Sequence, residues 1–381
     1  MSATTAPAPA DSALAARRAA RRLSVERSAA VLPEEVRQRI ASYAENTQRA
    51  LRFDLYAWHD WCADPTRHAD RAPRPSWPIR GALLAEFIFA HSPFKRVRGV
   101  WQPDPKAPPA RCRTAKTVGR YVSSLCALHR AAGYRDDLTQ DQAVRTALRM
   151  IRRGRMASKQ KQPLRLEHLL AVLELPASTA QQIRDRAMLA LAYTAMLRRS
   201  ELVALQYSDI LWEFGDGSGA VRIARSKSDQ QALGQSRHVA PFVAEAIQRW
   251  VTHAGIRNGP LFRGLYRNGR LRATAISASE VPILFRRLYG RLGLSAALTR
   301  GISGHSARIG GAQCLLIAGA SLVGIMNAGG WTSTTMPALY TRDLNPSEGA
   351  MARMLREHPD APTVTAAPKP KVARRRRHES V

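Results

Sequence analysis

Taken in chain order, Arg198, Glu201, Lys227, His305, Arg308, Trp331 and Tyr340 form a set of cationic and hydrogen-bonding groups. The set ends in a tyrosine and includes no acidic metal cage. Such a set suits attack on a phosphodiester. As a nucleophile adds to phosphorus, negative charge grows on the nonbridging oxygens, so fixed donors aimed at those oxygens lower the barrier. Arginine is fitted to this task because its planar fork is always charged and bonds two oxygens at once. Arg198 and Arg308 supply two such forks, and His305 and the Trp331 indole N–H add donors. His305 and Arg308 are three residues apart, so on a helix they share one face. A tyrosine hydroxyl, whose ordinary pKa is about 10, attacks only with a proton acceptor or strong positive charge beside it. His305 is the candidate base.

Each residue alone has an ordinary reading: a solvated helix end for Arg198-Arg199, a capping histidine, a core tryptophan, a polar turn for Arg225-Ser-Lys-Ser-Asp. Their order is the specific signal. The stretch Ser303-Gly-His-Ser-Ala-Arg308-Ile-Gly is followed by Ala328-Gly-Gly-Trp331 and then by Tyr340, nine residues after the tryptophan. In this the sequence resembles the tyrosine recombinases, and within them the Cre-like branch. The frame Met196-Leu-Arg-Arg-Ser-Glu201-Leu matches the family pattern of a catalytic arginine three residues before an acid, which selects Arg198 over Arg199. The resemblance implies Tyr340 as nucleophile, Lys227 as proton donor to the departing 5′ oxygen, and a 3′-phosphotyrosine intermediate that stores bond energy for religation. It further implies two copies of an inverted-repeat site in double-stranded DNA and a homotetramer on synapsed DNA that is a monomer when free. Strands are exchanged through a four-way junction, with no metal, nucleotide or other cofactor consumed. Within the same chemistry a type IB topoisomerase or a telomere resolvase is the alternative; from another class it is a non-catalytic DNA-binding protein on the same scaffold, which would not need the nucleophile.

The elements that position these groups are legible along 381 residues, enough for two domains with real cores. The fold class read here is mainly α with a small antiparallel β-sheet. Residues 1–33 are expected to form a disordered basic arm, 34–153 a helical N-terminal DNA-binding domain, and 154–163 a polar linker bounded by Gly and Pro. The α+β catalytic domain is expected to span 164–345, a docking helix 346–358, and a disordered basic tail 359–381. The resemblance implies that the two domains close as a C-shaped clamp around the duplex.

In 46–62, Leu51, Leu55, Trp58 and Cys62 fall at helical spacing, and in 114–132 Val118, Val122, Leu125 and Leu128 do the same. The two helices resemble the pair that the Cre-like family lays across the major groove, which makes Arg49, Lys116 and Arg120 the DNA-contact candidates. Between them, His91 to Arg113 is a Pro- and Arg-rich insertion longer than the family needs. Ile210–Phe214, Val221–Ala224 and Arg237–Val239 read as a small antiparallel sheet with Lys227 in the turn after its second strand. A helix is expected from near Ser277 to Gly290. Tyr340 should ride a short helix opening near Met336, with Pro337 in its first turn. Asn345-Pro-Ser-Glu348 has the form of a helix cap.

The formal net charge of +30 points to a polyanionic partner, nucleic acid first among them. Residues 1–30 carry five arginines against two acids, and 357–381 six basic residues against three acids, so most of the excess lies on the body between them. That favours a DNA-embracing surface over sticky ends. The four cysteines include no Cys-x-x-Cys pair, and no run of about 18 apolar residues is present, so a reduced, cytoplasmic, membrane-free setting is expected, bacterial or encoded by a phage or plasmid.

Overall fold

Helical spacing of apolar residues builds the first unit of the computed structural model. The structure describes residues 34–357 except 69, 109–111, 154–160, 213–214, 225–233, 343, 345–346 and 348. The expected terminal arms, most of the linker, the cap residues Asn345, Pro346 and Glu348, and Lys227 lie outside the described residues. The chain divides into two compact units, Met1–Ser158 and Lys159–Val381. Among the described residues both are mainly helical, with three small antiparallel sheets in all.

In the first unit, α1 (Glu34–Ala41), α2 (Glu45–Ala63), α3 (Gly81–Ala90), α4 (Ala115–Ala131) and α5 (Gln142–Arg153) share one core. The four apolar residues expected to face inward on α2 and the four on α4 are all buried in it. Thr114 starts α4 by accepting a hydrogen bond from the Thr117 amide at 3.2 Å. One inward residue of α2 breaks the apolar pattern. Asp54 is fully buried, and its carboxylate accepts hydrogen bonds from the Arg120 guanidinium and, at 2.7 Å, from Ser124 Oγ, both on α4. Burial pushes the Asp54 carboxyl up, and these two donors oppose that shift. The ion pair therefore ties α2 to α4 where an unpaired carboxylate would be expelled.

The 91–113 insertion is not a bare loop. It holds a hairpin of β1 (Phe94–Val97) and β2 (Val100–Pro103), in which Val97 pairs with Val100. Arg98 and Gly99 form its two-residue turn with φ of 49° and 82°, the left-handed pair that matches strand twist. Phe94 is buried in the core, and Trp101 stacks on Phe89 at 4.8 Å.

The second unit is built on α7 (Ala180–Thr194), which follows α6 (Leu166–Glu174). Thr179 and Gln182 exchange the reciprocal bonds of a capping box at its start. Helix α7 is buried along nearly its whole length, packed against α9 (Pro241–Ala254). Beside it, β3 (Ile210–Leu211), β4 (Gly219–Ile223) and β5 (Gln235–Val239) form an antiparallel sheet in sequence order, as the sequence suggested.

Two expectations are corrected. Thr274 and Ala275 do not lead into a helix; they end β7 (Leu271–Ala275), which pairs with β6 (Arg263–Leu265). The helix that follows, α10, runs Val281–Arg291, so Ser277, Ala278 and Ser279 precede it. Pro282 explains the start, because a residue without an N–H is tolerated in the first turn and not within the helix. The last helix, α15, is also shorter than expected and covers Ala350–Glu357. Before it come α11 (Ala296–Gly301), α12 (Ser306–Ile317), α13 (Leu322–Gly329) and α14 (Thr335–Thr341), and between α7 and β3 lies α8 (Arg199–Ala204). No helix among the described residues is long and apolar enough to cross a membrane.

Candidate active site

The turn between α7 and α8 carries Arg198. Met196 takes the left-handed conformation there, with φ of 49°, and Leu197 N–H donates back to Ala192 O at 3.1 Å, which reverses the chain sharply after α7. Arg198 then stands at the N-cap of α8. Glu201, 5% exposed, accepts from the Arg198 amide at 2.8 Å and from Arg198 Nη1 at 2.6 Å. One carboxylate thus caps the helix and orients the half-buried guanidinium.

His305 is the N-cap residue of α12 and is exposed; its amide donates to Ser303 Oγ at 3.2 Å. Arg308, one turn further on, is 1% exposed. Its Nη1 donates to Met196 O and its Nη2 to Gly329 O, the latter at 2.8 Å. Helix α12 can sit this close because Gly310 and Gly311 lie on it: a Cβ on Gly310 would meet Leu164 O at 1.7 Å, and one on Gly311 would press on the Met196 side chain. Trp331 follows α13, which is closed by Gly330 at φ of 60°. It lays its ring on Arg308, with Cζ 4.4 Å from the ring centroid, so the face of the indole meets the cation. Tyr340 rides α14, which opens at Thr335 with Pro337 in its first turn. Its ring stands edge-on to Trp331 at 5.8 Å and is 8% exposed.

The electrostatics follow from this enclosure. Burial, and then the neighbouring Arg198 cation, bring the Arg308 guanidinium down to about 10, while Glu201 and Tyr340 pull the other way. Burial pushes the Tyr340 phenol above its usual value, and Arg308 and Arg198 oppose that shift. Five of the seven residues read from the sequence, Arg198, Glu201, Arg308, Trp331 and Tyr340, therefore gather at one place, with His305 at the mouth of the same helix as Arg308. Lys227 lies outside the described residues. Among the described residues no three His, Cys, Asp or Glu side chains group as a metal site.

Of the three DNA-contact candidates, Arg49 is exposed one turn into α2 and paired with Glu45 at 2.6 Å, and Lys116 is exposed on α4. Arg120 is 42% exposed and held by Asp54. A further residue at the active site was not singled out in the sequence. Arg237 on β5 is 7% exposed and donates from Nη1 to Ala195 O at 2.9 Å and to Ala328 O at 2.6 Å. The signal for it was strand parity, since Arg237 shares the inward face with Val239.

Comparison with known proteins places this geometry. The Phage integrase family model matches residues 162–346. Recombinase cre of Escherichia phage P1 is 30% identical over 334 residues, covering 83% of this chain and 89% of that protein. The integrase/recombinase xerD homolog of Selenomonas ruminantium is 33% identical over 208 residues, 51% of this chain and 59% of that one. Among solved structures, the XerH site-specific recombinase in its post-cleavage complex with palindromic difH substrate has a TM-score of 0.55 at 16% identity, covering 82% of this chain and 80% of that one. The Tn1549 transposon integrase in complex with transposon right end DNA has a TM-score of 0.56 at 16% identity, covering 85% and 98%. These two speak to the fold. With 30% identity to the phage recombinase across 83% of the chain, and with Arg198, Arg308 and Tyr340 gathered inside the segment that the family model matches, the chain belongs to the tyrosine recombinase, or phage integrase, family of enzymes that break and rejoin DNA.

Proposed function

We propose that this recombinase acts on a pair of inverted-repeat sites, cuts each strand by attack of Tyr340, and exchanges strands through a four-way junction within a tetramer. The observation that carries the reading is the placement of the Tyr340 hydroxyl in the field of Arg308 and Arg198, two cations delivered by helices far apart in sequence. Such preorganised charge is what a phosphoryl transition state requires. In this reading His305 accepts the Tyr340 proton, Lys227 protonates the departing 5′ oxygen, and the DNA remains on Tyr340 through its 3′ phosphate.

Arg49 and Lys116 are proposed to contact the DNA backbone, as is Arg120, oriented by Asp54. The exposed stripe of α15, where Met351 is 66%, Met354 48% and Leu355 52% exposed, supports docking on a neighbouring subunit. A helix this short holds in water only if its apolar side finds a partner.

The test begins by selecting bound fragments from a random DNA library with the full-length protein. A nicked duplex of the selected sequence then traps the covalent intermediate. Wild type should form the adduct in excess chelator, and Tyr340→Phe should bind equally and form none. An adduct that survives in Tyr340→Phe, or cleavage that chelator abolishes and magnesium restores, overturns the reading.

A further inference from the structure

Two buried arginines join the same two backbone segments. Arg308, from α12, reaches Met196 O and Gly329 O. Arg237, from β5, reaches Ala195 O and Ala328 O, the residues immediately before those two. One segment is the reversed turn that delivers Arg198; the other ends α13 and delivers Trp331. Gly330 is shaped to this arrangement. Its φ is positive, and a Cβ there would meet Arg237 Nη2 at 2.2 Å and Gln235 Oε1 at 2.6 Å. Arg237 Nη2 also donates to Gln235 Oε1 at 3.2 Å, which fixes the plane of the fork.

We propose that Arg237 is a positioning residue for DNA cleavage, the second rung of a double brace that keeps the Arg198 turn and the Trp331 turn in register while Tyr340 attacks. A buried cation is costly unless its donors are used. Here one nitrogen, Nη1, serves both carbonyls, so the brace is a point contact between two chain segments that Arg308 and the packing of Met196 with Ile325 and Trp331 also join. Arg308 cannot serve as the only tie without compromise, because it is also the cation at the reacting phosphate. With Arg237 in place, Arg308 is free to shift toward the phosphate without the two turns separating. Burial holds the Arg237 guanidinium below its usual value, and Glu201 opposes that shift, so the brace shares its counter-charge with Arg198.

The inference rests on cleavage by Tyr340 and is tested with full-length wild type, Arg237→Met and Arg237→Lys. Because both carbonyls accept from a single nitrogen, a lysine ammonium with three donors can replace the rung, whereas methionine keeps the bulk and removes it. On the nicked duplex described above, at saturating enzyme, Arg237→Met should cleave about 100-fold more slowly, the loss that a misplacement of about 1 Å produces. Half-site affinity should stay within about threefold, and Arg237→Lys should recover most of the rate. Amide hydrogen exchange supplies a readout that needs no DNA. In Arg237→Met, exchange should accelerate at Leu197 and Trp331, whose amides bond Ala192 O and Met326 O, while α9 and β4 stay protected. Arg237→Met cleaving within about threefold of wild type, faster exchange across the whole unit, or Arg237→Lys no better than Arg237→Met would each overturn the brace. If wild type itself forms no adduct, the cleavage reading fails, and the exchange pattern still decides whether the brace exists.

Discussion

Glu201→Gln separates two jobs that one carboxylate performs. Glu201 is 5% exposed, caps α8 through the Arg198 amide at 2.8 Å, and pairs with Arg198 Nη1 at 2.6 Å. Glutamine retains an acceptor oxygen for the cap but removes the charge, leaving Arg198, Arg237 and Arg308 without the carboxylate whose field reaches all three. Stranding a buried cation costs about 3 to 5 kcal/mol, and because the Arg198 side chain keeps 18% exposure the lower end, about 3 kcal/mol, applies. Glu201→Ala loses the cap as well, a further ~1 kcal/mol. For a unit of this size each kcal/mol shifts the thermal midpoint by about 2 to 4 °C, so Glu201→Gln should lower the midpoint of the catalytic unit by ~6 to 12 °C, and Glu201→Ala by a few degrees more. With Arg198 released from its anchor, cleavage should fall about 100- to 1000-fold, the cost of losing one preorganised donor, while DNA affinity holds. Calorimetry and single-turnover cleavage measure the two effects. A Glu201→Gln midpoint within about 2 °C of wild type, against the scale above, would refute the reasoning that this carboxylate is the counter-charge of the site.

The other expectations are quickly stated. Lys227→Ala should cripple cleavage of ordinary DNA and spare a substrate whose bridging 5′ oxygen is sulfur, which leaves without a proton; equal damage on both would reduce Lys227 to a binding residue. Truncation after Asn345 should leave half-site binding nearly intact and abolish cooperative filling of a full site, read by gel-shift titration; unchanged cooperativity would mean that α15 packs in cis. In the pH dependence of unfolding, Tyr289 and Tyr340 are both raised above the usual phenol value of 10.0 by burial. Their contribution to stability is complete below that pH and is lost as pH rises through the higher folded values, because the unfolded chain releases its protons first. Tyr340→Phe should flatten that alkaline decline, and an identical decline in wild type and variant would argue against a buried phenol at 340.

What could be read in the chain is what depends on neighbours. Arg198 and Glu201 are three residues apart and the Pro337 helix start is a rule of one turn, so residue types in order sufficed to single them out. The inward stripes of α2 and α4 were legible for the same reason. The shared His305–Arg308 face does not form, because His305 is the exposed N-cap residue of α12 and Arg308 is buried. The missed strand β7 and the misplaced start of α10 mark the limit: Leu271–Ala275 carries a single large apolar residue and is mostly exposed, and only pairing with β6 makes it a strand. Contacts over long separations decided the rest. Asp54 is inside because Arg120, 66 residues away, meets it there. Arg237 is a brace because carbonyls 42 residues before it and 91 after it converge on one nitrogen. Strand parity points Arg237 inward beside Val239 but cannot say what it meets there, and neither charge would stay inside without a partner that the tertiary fold supplies.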